Sequence, residues 1–268
     1  MPDNTPPPLQ VPEAKAQDDG WRPNLGDLRA RLDDIDDKIH DLLIARARVV
    51  EGVARSGKTA AFRPGREASI LRRLVARHTG KLPAQTLVRM WREMLAGTTG
   101  MQSPVTVAAA GSGTIATIAR EHFGALTPVV PKASVAAALD SVRTGLATVA
   151  VIPFPGEAST WAALTQESPR LYVIARLPFW TARPGNVPMA DAIVVATTAP
   201  DASGDDRSFI DLSGIGQPGL ANPGAMATLA SHGAIAEVAG MIAGDDPRLP
   251  PGAIVLGGYA VPIAGDMP

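Results

Sequence analysis

The chain has 268 residues, a formal net charge of −1 at pH 7 and no cysteine. Its length predicts one or two domains with enough surface to bury a core. A net charge so close to zero argues against general attraction to nucleic acid or to an anionic membrane. The absence of cysteine excludes disulfides, thiolate nucleophiles and thiolate metal ligands, and it is compatible with the reducing cytoplasm.

The sequence indicates neither a metal site nor a membrane span. Its four histidines show no HxxxH or HExxH spacing, so we expect no metal and no cofactor that depends on one. No apolar run approaches the roughly 18 to 20 residues of a membrane-spanning helix. The polar, proline-rich residues 1–23 lack the cationic start and apolar stretch of a secretory signal, and we expect a disordered leader there.

A long helix is predicted for residues 25–57. Its apolar residues recur in alternating steps of four and three, which is typical of one helix face packed in coiled-coil style. This stripe consists of Leu28, Leu32, Ile35, Ile39, Leu42, Val49 and Val53. Arg46 stands on the stripe where an aliphatic residue is expected. Because its guanidinium cannot lose its charge, an anion should meet it, either a structural carboxylate or a ligand, unless its head reaches water.

Two shorter helices are predicted for residues 64–78 and 84–102. The inner face of the second consists of Glu67, Ile70, Leu71, Leu74 and Val75. The stripe of the third consists of Leu87, Trp91, Met94 and Leu95, followed by the polar Thr98 and Gln102. The first helix would be about 45 Å long, and the two shorter helices cannot cover its whole stripe. We therefore predict an intertwined homodimer for this region.

Polar residues interrupt all three inner faces. They are Arg46, Glu67, Thr98 and Gln102, with Arg29, Lys58 and Arg66 beside them. Taken singly, each is more often a solvated surface residue or a capping group. Their coincidence on successive inner faces favours a cationic, hydrogen-bonding pocket with one carboxylate. Such a pocket suits a small, compact dianion that carries a hydroxyl.

Residues 25–102 resemble the all-helical, AroQ-type chorismate mutases. The resemblance rests on LRARLDDIDDKIHDLLIARARVV, RPGREASILRRL and RMWREMLAGTTGMQ in this order. It implies a dimer whose sites take residues from both chains. It also implies a cofactor-free, Claisen-type rearrangement of chorismate to prephenate in the biosynthesis of phenylalanine and tyrosine.

The resemblance also implies roles for the polar residues that bind the substrate carboxylates. Arg29 would reach one carboxylate from the partner subunit, and Arg46 would bind the other. Thr98 would take the place of a small hydroxyl residue near a carboxylate. The contact of Arg46 with its carboxylate would be bidentate, and a guanidinium suits a bidentate contact better than an ammonium does.

The remaining roles implied by the resemblance concern the ether oxygen and the ring hydroxyl. Lys58 and Gln102 would face the ether oxygen, where negative charge grows as the C–O bond breaks. Glu67 would accept a hydrogen bond from the ring hydroxyl of the substrate. Arg66 would orient or assist Glu67. Lys58 lies one residue out of helical phase with Arg46, so Arg55 is the alternative to Lys58.

From Val105 onward, charged residues thin out and the pattern becomes that of an α/β domain over residues 104–268. Strands are predicted within VTVAAA, ALTPVVPK, ATVAVIPF, RLYVIARLPFW, DAIVVATTA, RSFIDLSG and AIVLGGYAVPI, and a helix is predicted near residues 223–232. We interpret GSGT at residues 111–114 as a strand-to-helix turn rather than a phosphate loop. The predicted fold class is therefore multidomain, with an all-α region over residues 24–103 followed by this α/β domain.

The α/β half resembles a diverged prephenate dehydratase domain. The resemblance rests on the strand–GxxT–helix opening, on ATVAVIPF and on AIVLGGYAVP. The family's threonine-arginine-phenylalanine motif is replaced by ADAIVVA, and its asparagine motif by PFPG at residues 153–156. We therefore expect no dehydration of prephenate, and instead a role in small-molecule binding, regulation or assembly. The alternatives are a bifunctional mutase and dehydratase, or a non-catalytic dimeric ligand-binding protein.

Overall fold

A computed structural model of the chain describes residues 24–55, 62–111, 113–166, 169–183, 185, 187, 189–215 and 228–265. The leader predicted for residues 1–23 and the candidate Lys58 lie outside the described residues. The chain divides into two compact units, Met1–Val49 and Val50–Pro268. None of the described helices is both long and apolar enough to span a bilayer.

Helix α1 runs from Leu25 to Arg55, while the predicted end at residue 57 lies outside the described residues. Its first turn is capped by Asn24, whose side-chain oxygen accepts a hydrogen bond from the backbone N–H of Asp27 at 3.0 Å. All seven residues of the predicted stripe are exposed, with relative accessible surfaces between 41% and 67%. The described residues of this chain therefore leave the stripe uncovered.

The described residues of the second unit form five further helices. They are α2 (Pro64–Arg77), α3 (Ala84–Gln102), α4 (Gly113–Phe123), α5 (Val135–Arg143) and α6 (Ala158–Leu164). The bounds of α2 and α3 agree with the predicted bounds to within one residue. Pro64 begins α2, where the missing N–H of proline costs nothing and its fixed φ suits a helix.

The second unit also contains a mixed sheet, which has nine strands in the described part of the chain. Their order across the sheet is β2-β1-β3-β5-β4-β9-β6-β8-β7. The strands are β1 (Val107–Ala110), β2 (Val129–Lys132), β3 (Val149–Pro153), β4 (Tyr172–Leu177), β5 (Ala192–Ala196), β6 (Asp206–Asp211), β7 (Thr228–His232), β8 (Ile235–Ala239) and β9 (Ile254–Ala260). Strand β1 pairs in parallel with β2 and β3, and β4 pairs in parallel with β9, while the other neighbours are antiparallel.

The core lies on both faces of the first half of the sheet. Strands β1 and β3 are apolar at almost every position, which is typical of strands buried on both sides. Their alternate residues pack against α5 and α6 on one face, where Leu139 and Trp161 are buried. The other residues pack against α4, where Ile118 and Phe123 are buried. The predicted order, a helical region followed by an α/β domain, is thus confirmed.

Helices α2 and α3 pack against the α/β half of the same chain. Ala68 and Leu71 of α2 and Val88 of α3 share one buried cluster with Phe179 and Trp180, which follow β4. The apolar faces of these two helices are therefore covered by the segment that leads away from the sheet.

The start of α2 is held by a carboxylate that lies 136 residues further along the chain. Asp201 accepts hydrogen bonds from the backbone N–H groups of Gly65 at 2.9 Å and Arg66 at 3.1 Å. It also forms a salt bridge with Arg63 at 3.3 Å. Arg63, the residue at the N-cap position, makes no side-chain capping bond, so Asp201 supplies the cap and a favourable charge at the positive end of the helix. A Cβ on Gly65 would lie 2.1 Å from the Asp201 carbonyl oxygen, so only glycine permits this approach.

The structure confirms the seven predicted strands but contradicts the helix predicted near residues 223–232. Thr228–His232 form strand β7, while residues 223–227 lie outside the described residues. The segment is rich in alanine, which favours a helix. Gly233, with φ +67°, turns the chain so that β7 pairs antiparallel with the missed strand β8, and this pairing overrides the local preference.

The GSGT stretch joins strand β1 to helix α4. Gly111 adopts φ +104°, and Gly113 begins the helix. A glycine with positive φ that is followed at once by a helix start is typical of a strand-to-helix turn, which is how we interpret this stretch.

We predict that Asp201→Ala lowers the free energy of unfolding by about 1–2 kcal/mol, because two N–H groups of α2 lose their acceptor. Urea unfolding would measure the loss. Asp205→Ala is a matched control in the same loop, because the Asp205 carboxylate is exposed and lies 3.8 Å from Arg72. It should change stability by less than about 0.5 kcal/mol. Equal effects of the two substitutions would contradict the capping role.

Candidate functional site

The first unit holds two of the seven predicted site residues. Arg29 is exposed near the start of α1, and Arg46 is half-buried on the stripe between Leu42 and Val49. At 1.5 Å per residue, the two arginines are separated by about 25 Å along the helix. A pocket for one small molecule cannot take both arginines from the same helix.

Thr98 and Gln102 lie one turn apart on a half-buried face of α3. The Thr98 hydroxyl donates to the carbonyls of Met94 at 2.9 Å and Leu95 at 3.1 Å. The Gln102 side-chain amide donates to the Thr98 carbonyl at a long 3.3 Å. These local bonds hold both side chains against the helix, and the weaker amide bond is the easier one to exchange for a ligand.

Glu67 forms a buried ion pair with Arg92. The Arg92 guanidinium donates to the Glu67 carboxylate at 2.9 Å, and the exposed fractions of the two side chains are 5% and 11%. The Arg92 guanidinium also lies over the ring of Phe179, 4.9 Å from its centroid. The pair therefore ties α2 to α3 at a point shielded by the segment after β4.

Burial shapes the protonation of the groups around this pair. Burial lowers the pKa of Arg92, while the charge and hydrogen bond of Glu67 act in the opposite direction. The pKa of His122 on α4 is held well below its usual value, first by burial and then by the positive charge of Arg92. His122 is therefore neutral at physiological pH, and it packs edge-on against Phe123 with ring centroids 4.9 Å apart.

The remaining candidates lie around the connection between α1 and α2. Arg66 is exposed, and its backbone N–H binds Asp201. Arg55, the alternative to Lys58, is exposed and pairs with Glu51 of the preceding turn at 3.3 Å. Lys58 itself lies outside the described residues.

Arg92 is a buried charged residue that the sequence interpretation missed. The predicted stripe of α3 ran through Leu87, Trp91 and Met94, which are half-buried. The fully buried residues of α3 are Val88, Arg92, Leu95 and Thr99. Their spacing of four, three and four is as regular as that of the predicted stripe, so periodicity alone could not choose between the two faces. To predict the pairing between Arg92 and Glu67, one would have had to know how α2 packs against α3.

A second buried charged cluster lies in the far half of the sheet. The Glu237 carboxylate, 2% exposed, accepts hydrogen bonds from Arg207 at 2.8 Å, Tyr259 at 2.6 Å and His232 at 3.4 Å. Burial works against ionisation of Glu237, but these donors together lower its pKa, and burial beside Glu237 raises the pKa of Tyr259 to about 12. These four residues come from four neighbouring strands, and the carboxylate is satisfied by protein donors. We assign the cluster a structural role.

No three histidine, aspartate or glutamate side chains of the described residues come together closely enough to hold a metal ion. The predicted site residues that the structure describes offer cations, a hydroxyl, an amide and the paired carboxylate of Glu67. Such groups can bind an anion and stabilise charge that develops on it.

We predict that Glu67→Ala lowers the free energy of unfolding by about 3–5 kcal/mol, because it leaves Arg92 buried without its counter-charge. Replacing both partners, as Glu67→Leu with Arg92→Met, should cost much less, since no charge remains buried. Urea unfolding monitored by circular dichroism would measure both. As a matched surface control, Glu51→Ala breaks the exposed pair with Arg55 and should cost less than about 0.5 kcal/mol. A double variant as unstable as Glu67→Ala would show that the ion pair is not the cause.

Several known proteins resemble parts of this chain. A bifunctional chorismate mutase/prephenate dehydratase of Stutzerimonas stutzeri is 32% identical over 137 residues, which cover 47% of this chain and 37% of the relative. The bifunctional protein of the same description from Pseudomonas aeruginosa is 31% identical over 136 residues, with the same coverage. The chain thus spans well under half the length of these relatives in the alignments. A share of 47% exceeds residues 1–103, so the likeness reaches into the α/β half.

Among solved structures, a prephenate dehydratase of Arthrobacter aurescens in complex with L-Phe is 14% identical to this chain. The match covers 58% of this chain and 90% of that chain, with a TM-score of 0.38. A TM-score of this size does not establish a common fold.

The helical residues have the most specific match. Residues 28–103 match the family model described as chorismate mutase type II. This range contains all seven predicted site residues, from Arg29 to Gln102. In this match, the similarity to the chorismate mutase type II family covers the stretch from residue 28 to residue 103.

Proposed function

We propose that this chain rearranges chorismate to prephenate without a cofactor, as a cytoplasmic step in the biosynthesis of phenylalanine and tyrosine. One observation carries the proposal: residues 28–103 match the mutase family and include every site residue that the sequence predicted. The likeness to bifunctional mutase/dehydratase proteins over part of their length is consistent with it.

The proposed chemistry suits the residues that these helices offer. A pericyclic rearrangement requires neither a nucleophile nor a general base. The protein has to hold a compact reactive conformer and stabilise the negative charge that grows on the ether oxygen. Arg29 and Arg46 would hold the two carboxylates, with Thr98 beside one of them. Gln102 and Lys58 would donate to the ether oxygen, with Arg55 as the alternative cation.

Under this proposal, the Glu67 carboxylate is ionised and held in one orientation. The buried guanidinium of Arg92 stabilises the ionised carboxylate and fixes its orientation. A fixed, ionised carboxylate is a suitable acceptor for the ring hydroxyl of the substrate. Arg66, the exposed neighbour of Glu67, would assist from the surface side.

We propose that the active form is a homodimer that uses α1 as its interface. The exposed stripe of α1 supports this, since seven apolar side chains between 41% and 67% exposed would be covered by a second copy. The distance of about 25 Å between Arg29 and Arg46 also supports it. Each helix would then supply its two arginines to two different sites.

We place the α/β half at residues 104–268, after a mutase region at residues 24–103. We propose that the α/β half does not dehydrate prephenate. At the position where the dehydratase motif would supply an arginine, Ala192 begins strand β5 and is fully buried. Its neighbour Ile193 is fully buried as well. Neither residue offers a group that could act on a hydroxyl or a carboxylate.

We predict that Arg46→Ala lowers kcat/KM for chorismate by at least about a hundredfold, since a charged hydrogen-bond donor is lost from a shielded site. Arg48→Ala is the matched control, because Arg48 lies on the opposite, exposed side of the same helix. It should leave kcat/KM within about twofold. Loss of chorismate, followed by its ultraviolet absorbance, gives the rates. Unchanged turnover by Arg46→Ala would contradict the role given to this residue.

The same incubation separates the alternative functions. Prephenate without phenylpyruvate supports the proposal. Phenylpyruvate at an enzymatic rate would show a bifunctional mutase and dehydratase. An absence of chorismate turnover by folded wild-type protein would leave the non-catalytic, ligand-binding alternative.

We predict that Ile39→Glu, which places a charge on the stripe, converts the dimer to monomers and abolishes mutase activity. Ala30→Glu introduces the same charge on the opposite face of α1, and it should leave both the dimer and the activity intact. Light scattering coupled to size-exclusion chromatography would measure the mass of each. If Ile39→Glu remained dimeric, the stripe would not be the interface.

A further inference from the structure

Phe179, in the segment that follows β4, lies beside arginines of both α2 and α3. The Arg92 guanidinium of α3 lies 4.9 Å from the centroid of its ring, and the Arg72 guanidinium of α2 lies 5.9 Å from it. Both distances are within the range of about 6 Å over which a cation is attracted to the face of an aromatic ring. Phe179 is 7% exposed, so little water screens these contacts. One side chain of the α/β half thus contacts both helices.

The backbone at Phe179 is fixed by the segment that follows β9. The Phe179 carbonyl accepts a hydrogen bond from the N–H of Ile263 at 2.7 Å, and the Ile263 carbonyl accepts one from the N–H of Thr181 at 3.0 Å. Trp180, which lies between them in the chain, pairs with Ile263 in a parallel β-bridge. Because these bonds leave the backbone little freedom to shift, the ring of Phe179 is a fixed support for the guanidinium of Arg92.

Arg92 connects this support to Glu67. Its guanidinium donates to the Glu67 carboxylate at 2.9 Å, in a pair that is almost wholly buried. A charged hydrogen bond of this kind restricts the orientation of both groups. The guanidinium contacts the ring of Phe179 and binds the carboxylate, so the place of the ring influences where the carboxylate of Glu67 lies.

The loop from Asp201 to Asp205 holds the backbone of α2 on either side of Glu67. Asp201 accepts hydrogen bonds from the N–H groups of the two residues that precede Glu67, at 2.9 Å and 3.1 Å. Ser69, two residues after Glu67, donates its hydroxyl to the carbonyl of Ser203 in the same loop at 3.0 Å. The α/β half therefore contacts both the backbone around Glu67 and the partner of its carboxylate.

We propose that the α/β half positions Glu67 for the rearrangement of chorismate, with Phe179 as the positioning residue for the carboxylate and Asp201 as the positioning residue for the backbone. The inference rests on the proposed function, in which Glu67 accepts a hydrogen bond from the ring hydroxyl of the substrate. A displaced carboxylate makes a longer or more bent hydrogen bond, which is weaker. This gives the α/β half a role in the mutase reaction that needs no dehydratase chemistry.

The test is the Phe179→Leu variant of the full-length chain, which keeps an apolar side chain but removes the ring face from Arg92. We expect its KM for chorismate to rise at least about fivefold, since a contact made equally in the ground state and the transition state contributes to KM. A loss of folded protein would instead lower the apparent kcat and leave KM unchanged. Phe179→Tyr keeps an aromatic face and should hold KM within about twofold of the wild-type value.

Phe154→Leu is the matched control. Phe154 is 8% exposed, and the Arg176 guanidinium lies over its ring, 3.8 Å from the centroid. Its ring packs against Trp161 and Phe209 of the α/β half. The substitution thus removes the same group from a similar environment, and it should leave KM unchanged. An equal rise of KM in Phe154→Leu would show that the loss of any buried ring has this effect, which would contradict the proposal.

A double-mutant cycle locates the effect at Glu67. In a Glu67→Gln background, Phe179→Leu should no longer raise KM, because the carboxylate that the ring positions is absent. Asp201→Ala should raise KM in the otherwise wild-type chain, whereas Asp205→Ala, in the same loop, should not.

The outcomes separate this inference from the mutase function on which it rests. An unchanged KM in Phe179→Leu, or the same rise with and without the Glu67 carboxylate, would overturn the inference, while turnover of chorismate by the wild-type chain would leave the proposed function intact. An absence of turnover by the folded wild-type chain would overturn both.

Discussion

The buried ion pair between Arg92 and Glu67 is the interaction on which the packing of the second and third helices depends. Two charges withdrawn from water are tolerable only when they face each other at hydrogen-bonding distance, as they do here at 2.9 Å. The geometry fixes the rotation of both helices about their axes. It also decides which face of α3 is committed to the protein interior and which face, bearing Thr98 and Gln102, stays half-open.

The three helices differ in how completely their apolar surfaces are used. The inner faces of α2 and α3 are covered by Phe179, Trp180 and their neighbours after β4. The stripe of α1 remains exposed along its whole length. A chorismate site shared between two copies would explain this difference, because the shorter helices would be positioned by the α/β half and α1 would remain available for the partner. The covered faces of α2 and α3 would then stabilise the fold, while the stripe of α1 would form the dimer that catalysis requires.

Sequence periodicity was sufficient to predict the three helices of residues 24–103, seven strands and the order of the two halves, because each of these elements is decided by local spacing. It could not choose between the two equally regular faces of α3, and so it missed Arg92. It also assigned the alanine-rich stretch before Gly233 to a helix, since strand β7 exists only through its pairing with β8. Sequence periodicity could not predict the cap from Asp201, because the acceptor lies 136 residues from the donor. Each miss involves partners that only the folded chain brings together.

The contact between Gly65 and Asp201 has a consequence for how this protein can evolve. The family match ends at residue 103, yet the start of α2, a helix within the matched range, is held by a residue of the α/β half. A side chain at position 65 would displace the loop that carries the cap, and a new loop would leave the helix start unsatisfied. Exchanging one half of this chain without the other would therefore leave the start of α2 without its cap. In lineages that keep this contact, we expect positions 65 and 201 to be inherited and to change together.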